Sequence, residues 1–269
     1  MKKRLFLFVL LFVFSILTTG CQMKPEQKLI STGPNFFLNS VLDVKILDEG
    51  KDIEKINEEI TMRVQRLENA LTSKASSSEV SKINQNAGIA PVSVSDETFL
   101  VISEGIKYSE LADGSFDITV GPLANLWGIG TEAAKVPTEE ELKNALSLVG
   151  YEKVVLDKNA KTVYLTEKGM ALDVGAIAKG YVTDEINSIL AKYEVKSAII
   201  NLGGNIYARG GKNGSPFSIG IQNPYSEHGD YLGIYRDTDF SMVTSGTYER
   251  YFEQDGKKYH HILSTADGY

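Results

Sequence analysis

The chain has 269 residues, with 28 Lys or Arg against 35 Asp or Glu, and its formal net charge of -7 argues against a nucleic-acid binder, whose footprint is a basic patch on a basic domain. A composition of 42% hydrophobic and 23% charged residues, with 24 Gly and 7 Pro, is that of a globular chain able to bury a sizeable core. One cysteine and three histidines exclude a disulfide framework, a Cys-cluster site and a His-rich metal centre, so any metal must be held mostly by oxygen, which favours Mg²⁺ or Ca²⁺.

The chain opens with a basic stretch, Lys2, Lys3 and Arg4, and an apolar run over residues 5–17. Such a run is short for a membrane-spanning helix and suits the core of a signal peptide. Thr18-Thr19-Gly20-Cys21 follows and resembles the lipobox of bacterial lipoproteins, departing from it at Thr18, where Leu is usual. On that resemblance residues 1–20 are a signal peptide, Cys21 is the lipidated residue and residues 21–34 are a polar tether. The protein is then expected at the bacterial cell membrane, anchored by lipid and facing the extracytoplasmic side. Loss of Lys2, Lys3 and Arg4 takes the formal charge from -7 to -10, so a polybasic surface is not the means of attachment.

Beyond the tether, Leu42, Val44 and Ile46 alternate with Asp43 and Lys45, the period of a strand with one wet face. Ile53, Ile56, Ile60, Val64, Leu67 and Leu71 recur at spacings of three and four and predict a long amphipathic helix. A Ser-rich turn at Ser76–Ser78 leads toward a helix carrying Phe99, Ile102 and Ile106, with Ser95 or Asp96 as its cap. Thr138 and Glu141 form a capping box for another helix that stops near Gly150. Residues 153–156 and 162–165 read as short strands, and 176–193 as a helix with Ile177, Tyr181, Ile186, Ile189 and Leu190 toward a core. Strand-like runs then dominate: 198–202, 217–221, 232–235, 240–243, 248–252 and 259–263. Without regular strand–helix alternation, the fold class is α+β, with mixed helices and largely antiparallel sheets in one body or two tightly packed lobes.

Several standard signatures are missing. Gly128-Ile-Gly130-Thr-Glu-Ala133 follows no convincing strand and reads as a loop, not a dinucleotide turn. No Walker-type phosphate loop and no Gly-x-Ser-x-Gly elbow occurs. Four other stretches combine glycine, carboxylates and helix starts. In the first, Asp113 to Gly128, the only tryptophan and two acids sit beside what reads as a Gly121-Pro122 stop, in a segment too irregular for a simple helix or strand. In the second, Leu172-Asp173-Val-Gly175-Ala176-Ile-Ala-Lys179-Gly180-Tyr181, an aspartate precedes a glycine turn and a helix N-terminus, whose free N–H groups suit phosphate oxygens. Lys179 lies one turn further on, although Asp173 alone reads equally well as a helix cap. Third comes Asn201-Leu-Gly203-Gly204-Asn205, a place for close backbone approach or a tight turn. The fourth runs from Ser245-Gly246-Thr-Tyr248-Glu-Arg250 to Tyr259-His260-His261-Ile262-Leu263, with one of the two histidines expected to face solvent.

Taken in order, Ser78 to Asn84, Gly114 to Gly128, Ala171 to Tyr181, Asn201 to Asn205 and Tyr259 to Leu263 resemble the FAD:protein FMN transferase (ApbE) family of bacterial lipoproteins. The resemblance runs from about Phe36 to the last residue and marks residues 35–269 as an FAD-binding catalytic domain. It implies a Mg²⁺-dependent transfer of FMN from FAD, through a phosphodiester, to a threonine of an exported flavoprotein, with AMP leaving. It further implies that Gly114, Ser115, Phe116 and Asp117 line the adenosine side, that Asp173 holds the nucleotide and that Lys179 approaches the phosphates. Leu38 would touch the flavin, His261 and Ile262 would lie at the cofactor, and the Ala176 carbonyl would be a magnesium ligand. His261 is the candidate that assists deprotonation of the acceptor hydroxyl. Three departures stand out: Lys74 where an aromatic residue often stacks on the flavin, Ser264-Thr265 where Asp-Pro is common, and an end at Tyr269 ahead of the family's C-terminal Asp and Thr metal ligands. Two other readings fit the same residues: an FAD pyrophosphatase releasing FMN and AMP, and a non-catalytic, lipid-anchored flavin-binding protein.

Overall fold

A computed structural model describes residues 30–31, 35–37, 40–212, 214–226 and 229–269. The expected signal peptide, lipidated Cys21 and flavin-contacting Leu38 lie outside the described residues. The chain is α+β, and every strand pairing within its sheets is antiparallel.

The main sheet combines β1 (Ile30–Ser31), β2 (Asn35–Phe37), β3 (Ser40–Ile46), β7 (Ala198–Leu202), β8 (Asn205–Arg209) and β11 (Phe240–Val243), in the order β1-β3-β7-β8-β11 with β2 also on β3. β1 lies within the stretch read as tether, and its pairing of Ile30 with Ile46 carries the fold into that segment. The alternation in β3 is realised as anticipated: Leu42, Val44 and Ile46 are buried. In the register they stand opposite Leu202, Ile200 and Ala198 of β7, which are buried as well. Cross-strand pairs of this kind fix the register, because a one-residue slip would turn all six side chains to the other face.

Two helices cover that face. α1 (Ile53–Leu71) buries Ile56, Ile60, Val64, Leu67 and Leu71, the stripe visible in the sequence, and Asp52 caps it by accepting from the Lys55 amide. α6 (Gly175–Lys192) buries Ala178, Val182, Ile186, Ile189 and Leu190 against the same core. α2 (Glu79–Gln85) and α3 (Asp96–Leu111) extend this core, and their caps Ser78 and Ser95 accept from the amides of Ser81 and Thr98. A three-stranded sheet of β4 (Val92–Ser93), β6 (Thr162–Leu165) and β5 (Val154–Asp157) closes it with Val163 and Leu165.

A second, smaller core is built around Trp127. α4 (Gly121–Trp127) and α5 (Glu139–Ser147) supply Leu123, Trp127, Leu142 and Ala145. β12 (Tyr251–Gln254) and β13 (Lys257–His260) form a hairpin whose Phe252 and Tyr259 pack on Trp127 at ring separations of 6.3 and 5.3 Å. The indole Nε1–H donates to the Gly268 carbonyl at 2.7 Å, which ties the chain end to the same cluster. The remaining ribbon is β9 (Phe217–Gln222) paired with β10 (Tyr231–Asp237).

Three expectations are corrected. Gly121-Pro122 does not stop a helix; it starts α4, because proline in the first helical turn forfeits only an amide that has no partner there. The Ser-rich turn does not lead directly to the Phe99 helix, since Ser78 first caps the short α2. Tyr248 precedes β12 in a turn, and His261 to Leu263 lie past the end of β13. No helix among the described residues is long and apolar enough to cross a membrane.

Candidate active site

Three of the segments read as chemistry-bearing, those around Asp117, Asp173 and His261, meet where the two cores join. Asn84, at the end of α2, clamps the strand-like approach to α6: its Nδ2 donates to the Leu172 carbonyl at 3.1 Å and its Oδ1 accepts from the Leu172 amide at 2.7 Å. On its other side this approach pairs with residues 118–121, through Asp173 N–H to Ile118 O at 2.8 Å and Gly121 N–H to Ala171 O at 3.2 Å. Gly121 permits the contact, since a Cβ there would lie 2.5 Å from the Ala171 carbonyl oxygen. Asp173 is thereby held at a fixed height above the start of α6.

The Asp173 Oδ1 accepts from the Gly175 amide at 2.8 Å, so the capping role weighed from sequence is present. Val174, the residue before the helix, gives no side-chain cap. Among the described residues the Ala176 amide has no acceptor, and Ala176 itself is exposed. A helix start with a free amide favours an anion. Lys179 sits one turn on, its Nζ 3.3 Å from the Gly175 carbonyl. Burial pushes its ammonium below the ordinary lysine range, the nearby Arg250 charge adds to that, and Asp173 acts the other way.

His261 reaches the same place from the β12–β13 hairpin. The Arg250 carbonyl accepts from the His261 amide at 3.2 Å and lies 3.2 Å from His261 Nδ1. A carbonyl has no proton to give, so Nδ1 carries the hydrogen and Nε2 is left as the acceptor nitrogen. Burial holds this imidazole below its ordinary value, the hydrogen bond to Arg250 opposes that, and the charges of Arg250, Lys179 and His260 push it down further. His260 does not simply face solvent: its Nδ1 is buried without a hydrogen-bond partner. Ile262 is exposed.

The Gly114–Asp117 stretch is built differently from what its residue types suggest. Buried Asp117 spends its carboxylate on the chain itself: Oδ1 accepts from the Thr119 amide and hydroxyl, both at 2.7 Å, and Oδ2 from the Tyr151 amide at 2.9 Å. Ser115 donates to the Ala112 carbonyl at 2.7 Å, and Phe116 packs against the main core. Gly114 offers its carbonyl to the Thr265 hydroxyl at 2.7 Å, so Thr265, where the family often has proline, pins this loop to the chain after His261. The geometry makes residues 114–117 a rigid wall beside the site, with the Asp117 carboxyl already engaged. Gly203 and Gly204 form the tight turn between β7 and β8, both with positive φ, and a Cβ on Gly203 would lie 2.7 Å from Ser40 Oγ.

Among the described residues no group of three or more His, Cys, Asp or Glu side chains gathers in one place. One engaged carboxylate, two cations and a helix start fit an anionic diphosphate and do not by themselves cage a divalent ion. A groove of about 450 Å³ between α1 and α6 is a poorer candidate, because its charges are mutually satisfied: Arg63 pairs with Glu97 and Glu185, and Lys192 with Glu59. Arg250 joins this place through a contact across eleven residues to His261, a product of the hairpin that its local sequence does not announce.

The ApbE family profile matches residues 38–269. The FAD:protein FMN transferase of Klebsiella pneumoniae is 39% identical over 216 residues, covering 80% of this chain and 67% of that protein. That of Vibrio cholerae is 31% identical over 258 residues, covering 94% and 76%. Among solved structures, the ApbE protein of Thermotoga maritima superposes with a TM-score of 0.83 at 32% identity, covering 90% of this chain and 78% of that one.

Proposed function

Since the chain belongs to the ApbE family, we infer that it is an FAD:protein FMN transferase, as its relatives are named. The observation that carries this reading is the convergence of Lys179, His261 and the free start of α6 at one place, with no acid among the described residues acting on the lysine except the already bonded Asp173. A diphosphate is the ligand that such an arrangement suits.

In the proposed reaction a threonine hydroxyl of an exported flavoprotein attacks the FMN-side phosphorus of FAD. A P–O bond to that hydroxyl oxygen forms, the bond to the bridging oxygen breaks, and AMP leaves with the electron pair. His261 Nε2 accepts the hydroxyl proton, a role that its fixed tautomer and depressed basicity both support, since the ring is neutral at physiological pH. Lys179 and the Ala176 amide orient the diphosphate and offset its charge, which is most of what phosphoryl transfer asks of a protein. Residues 114–117 form the wall on the adenosine side. Mg²⁺ belongs to the proposal on the family resemblance alone: the Ala176 carbonyl would be the ligand this chain supplies, a hard oxygen of the kind the ion accepts. Bound there, it would neutralise phosphate charge. Cys21 is proposed as the lipid anchor to the extracytoplasmic face of the membrane; Cys21→Ala should move the protein from the membrane fraction to the soluble one.

Incubation with FAD, Mg²⁺ and a threonine-bearing acceptor should leave a fluorescent flavin on the acceptor in a denaturing gel, and chelation with EDTA should abolish it. Release of FMN and AMP without an acceptor would assign the pyrophosphatase reading instead. Tight FAD binding with no turnover under any condition would make this a binding protein.

A further inference from the structure

We propose that Arg250 is a further substrate-contacting residue, its guanidinium meeting the diphosphate of FAD beside Lys179 while its backbone carbonyl orients His261. The proposal rests on the transferase reading and adds to it a residue that neither the helix start nor the glycine turn supplies.

Three observations carry it. The first is position. The Arg250 carbonyl lies 3.2 Å from both the amide nitrogen and Nδ1 of His261, so its Cα sits beside the imidazole. Its Cδ lies 3.9 Å from where a Cβ on Gly130 would stand, which lays the side chain along the turn that follows α4. The second is the lack of neutralisation. The other described arginines all have a side-chain partner: Arg63 pairs with Glu97 and Glu185 and Arg66 with Glu97, while Arg209 donates to the Val195 carbonyl and Asn187 and Arg236 to the Ser218 hydroxyl. Among the described residues Arg250 has no ion pair, although the chain carries 35 acidic residues to 28 basic ones. The third is its neighbour: its charge is felt by both Lys179 and His261. Two neighbouring cations repel, and an acidic chain that keeps them together with no carboxylate among the described residues acting on Lys179 but that of Asp173, already bonded to the Gly175 amide, has left the place for an anion from outside. Guanidinium suits phosphate in particular, since its planar fork gives two parallel hydrogen bonds.

Side-chain replacement separates the two roles, because Arg250→Ala keeps the carbonyl that holds His261. FAD affinity is read by flavin fluorescence titration of the full chain at low and high salt, FMN transfer by gel fluorescence, and the fold by the thermal midpoint. Arg66→Ala, an exposed arginine on α1, is the control. Arg250→Ala should weaken FAD binding by about 10- to 100-fold, the range for a hydrogen bond to a charged group, and should flatten its salt dependence, with an unchanged midpoint and partial recovery in Arg250→Lys. The proposal is overturned if Arg250→Ala binds FAD within about twofold of wild type, if Arg66→Ala loses as much, or if the loss tracks a fall in the midpoint. A wild-type chain that leaves FAD unbound would overturn the transferase reading itself, a result distinct from these.

Discussion

Asn84→Ala tests whether the approach to α6 is what positions the site. The side chain makes two hydrogen bonds to one residue, at 2.7 and 3.1 Å, and Leu172 is almost wholly buried. Removing the amide strands an N–H and a carbonyl that no other described group serves. An unsatisfied buried polar group costs roughly 1–3 kcal/mol; with some water reaching the partly exposed Asn84 position, about 2–4 kcal/mol in all is expected. For a protein of this size that is a fall of roughly 5–15 °C in the thermal midpoint. Asp173 is the next residue, so its height above the Gly175 amide loosens too, and FAD affinity should drop by about tenfold or more, measured in the folded fraction well below the midpoint. Asn84→Asp is a useful companion: it keeps the acceptor for the Leu172 amide but sets a carboxylate oxygen against the Leu172 carbonyl, and should be at least as harmful. Calorimetry and flavin titration read both effects. If stability falls as expected while FAD affinity holds, the clamp serves only the fold, and the positioning argument is refuted.

Other perturbations follow from the same geometry. Gly203→Ala forces a side chain into positive φ and against Ser40, and should cost about 1–3 kcal/mol in urea unfolding; an unchanged midpoint would show that the β7–β8 turn relaxes freely. Trp127→Phe keeps most of the ring contacts but loses the donor to Gly268, so a loss of about 1–2 kcal/mol is expected together with faster proteolysis after Gly256, and equal proteolysis in both proteins would count against the tether. The transfer rate should fall on the acid side below the ordinary imidazole value, near pH 6.5, because burial depresses the pKa of His261 and the neutral form is the working one. The sign for stability is the same: the unfolded chain binds the proton first, so His261 costs nothing above the ordinary value and increasingly destabilises as pH falls from there to the depressed one. An acid limb that survives His261→Gln would assign it to another group.

Much of the fold could be read from periodicity. The α1 stripe and the β3 alternation survive because each is decided by burial of one continuous face, which a linear pattern encodes directly. α4 was obscured by Gly121-Pro122, whose meaning depends on whether the proline stands before or inside the first turn. The tight turn weighed for Gly203-Gly204 is present, whereas β8, Asn205 to Arg209, carries no clear apolar–polar alternation to mark the strand that follows it. The helix start after Asp173, with Lys179 one turn on, is legible because a helix start announces itself locally. The Asp117 carboxylate is bonded to Thr119 and to Tyr151, the latter 34 residues away, and such a commitment is visible only in space. Arg250 is the opposite case: that its guanidinium has no partner among the described residues is a fact about everything around it.

The seating of the β12–β13 hairpin on the small Trp127 core, while α6 belongs to the large one, makes this site a joint between two halves. A molecule gripping Lys179 on one half and the His261 region on the other acts as a fastener, adding RT ln(1 + [L]/Kd) to whatever keeps the halves docked. The flavin nucleotide would then do more than react. Its concentration would set how often the hairpin lifts, and amide hydrogen exchange in residues 251–260 would slow as FAD is added, while the main sheet would hardly respond.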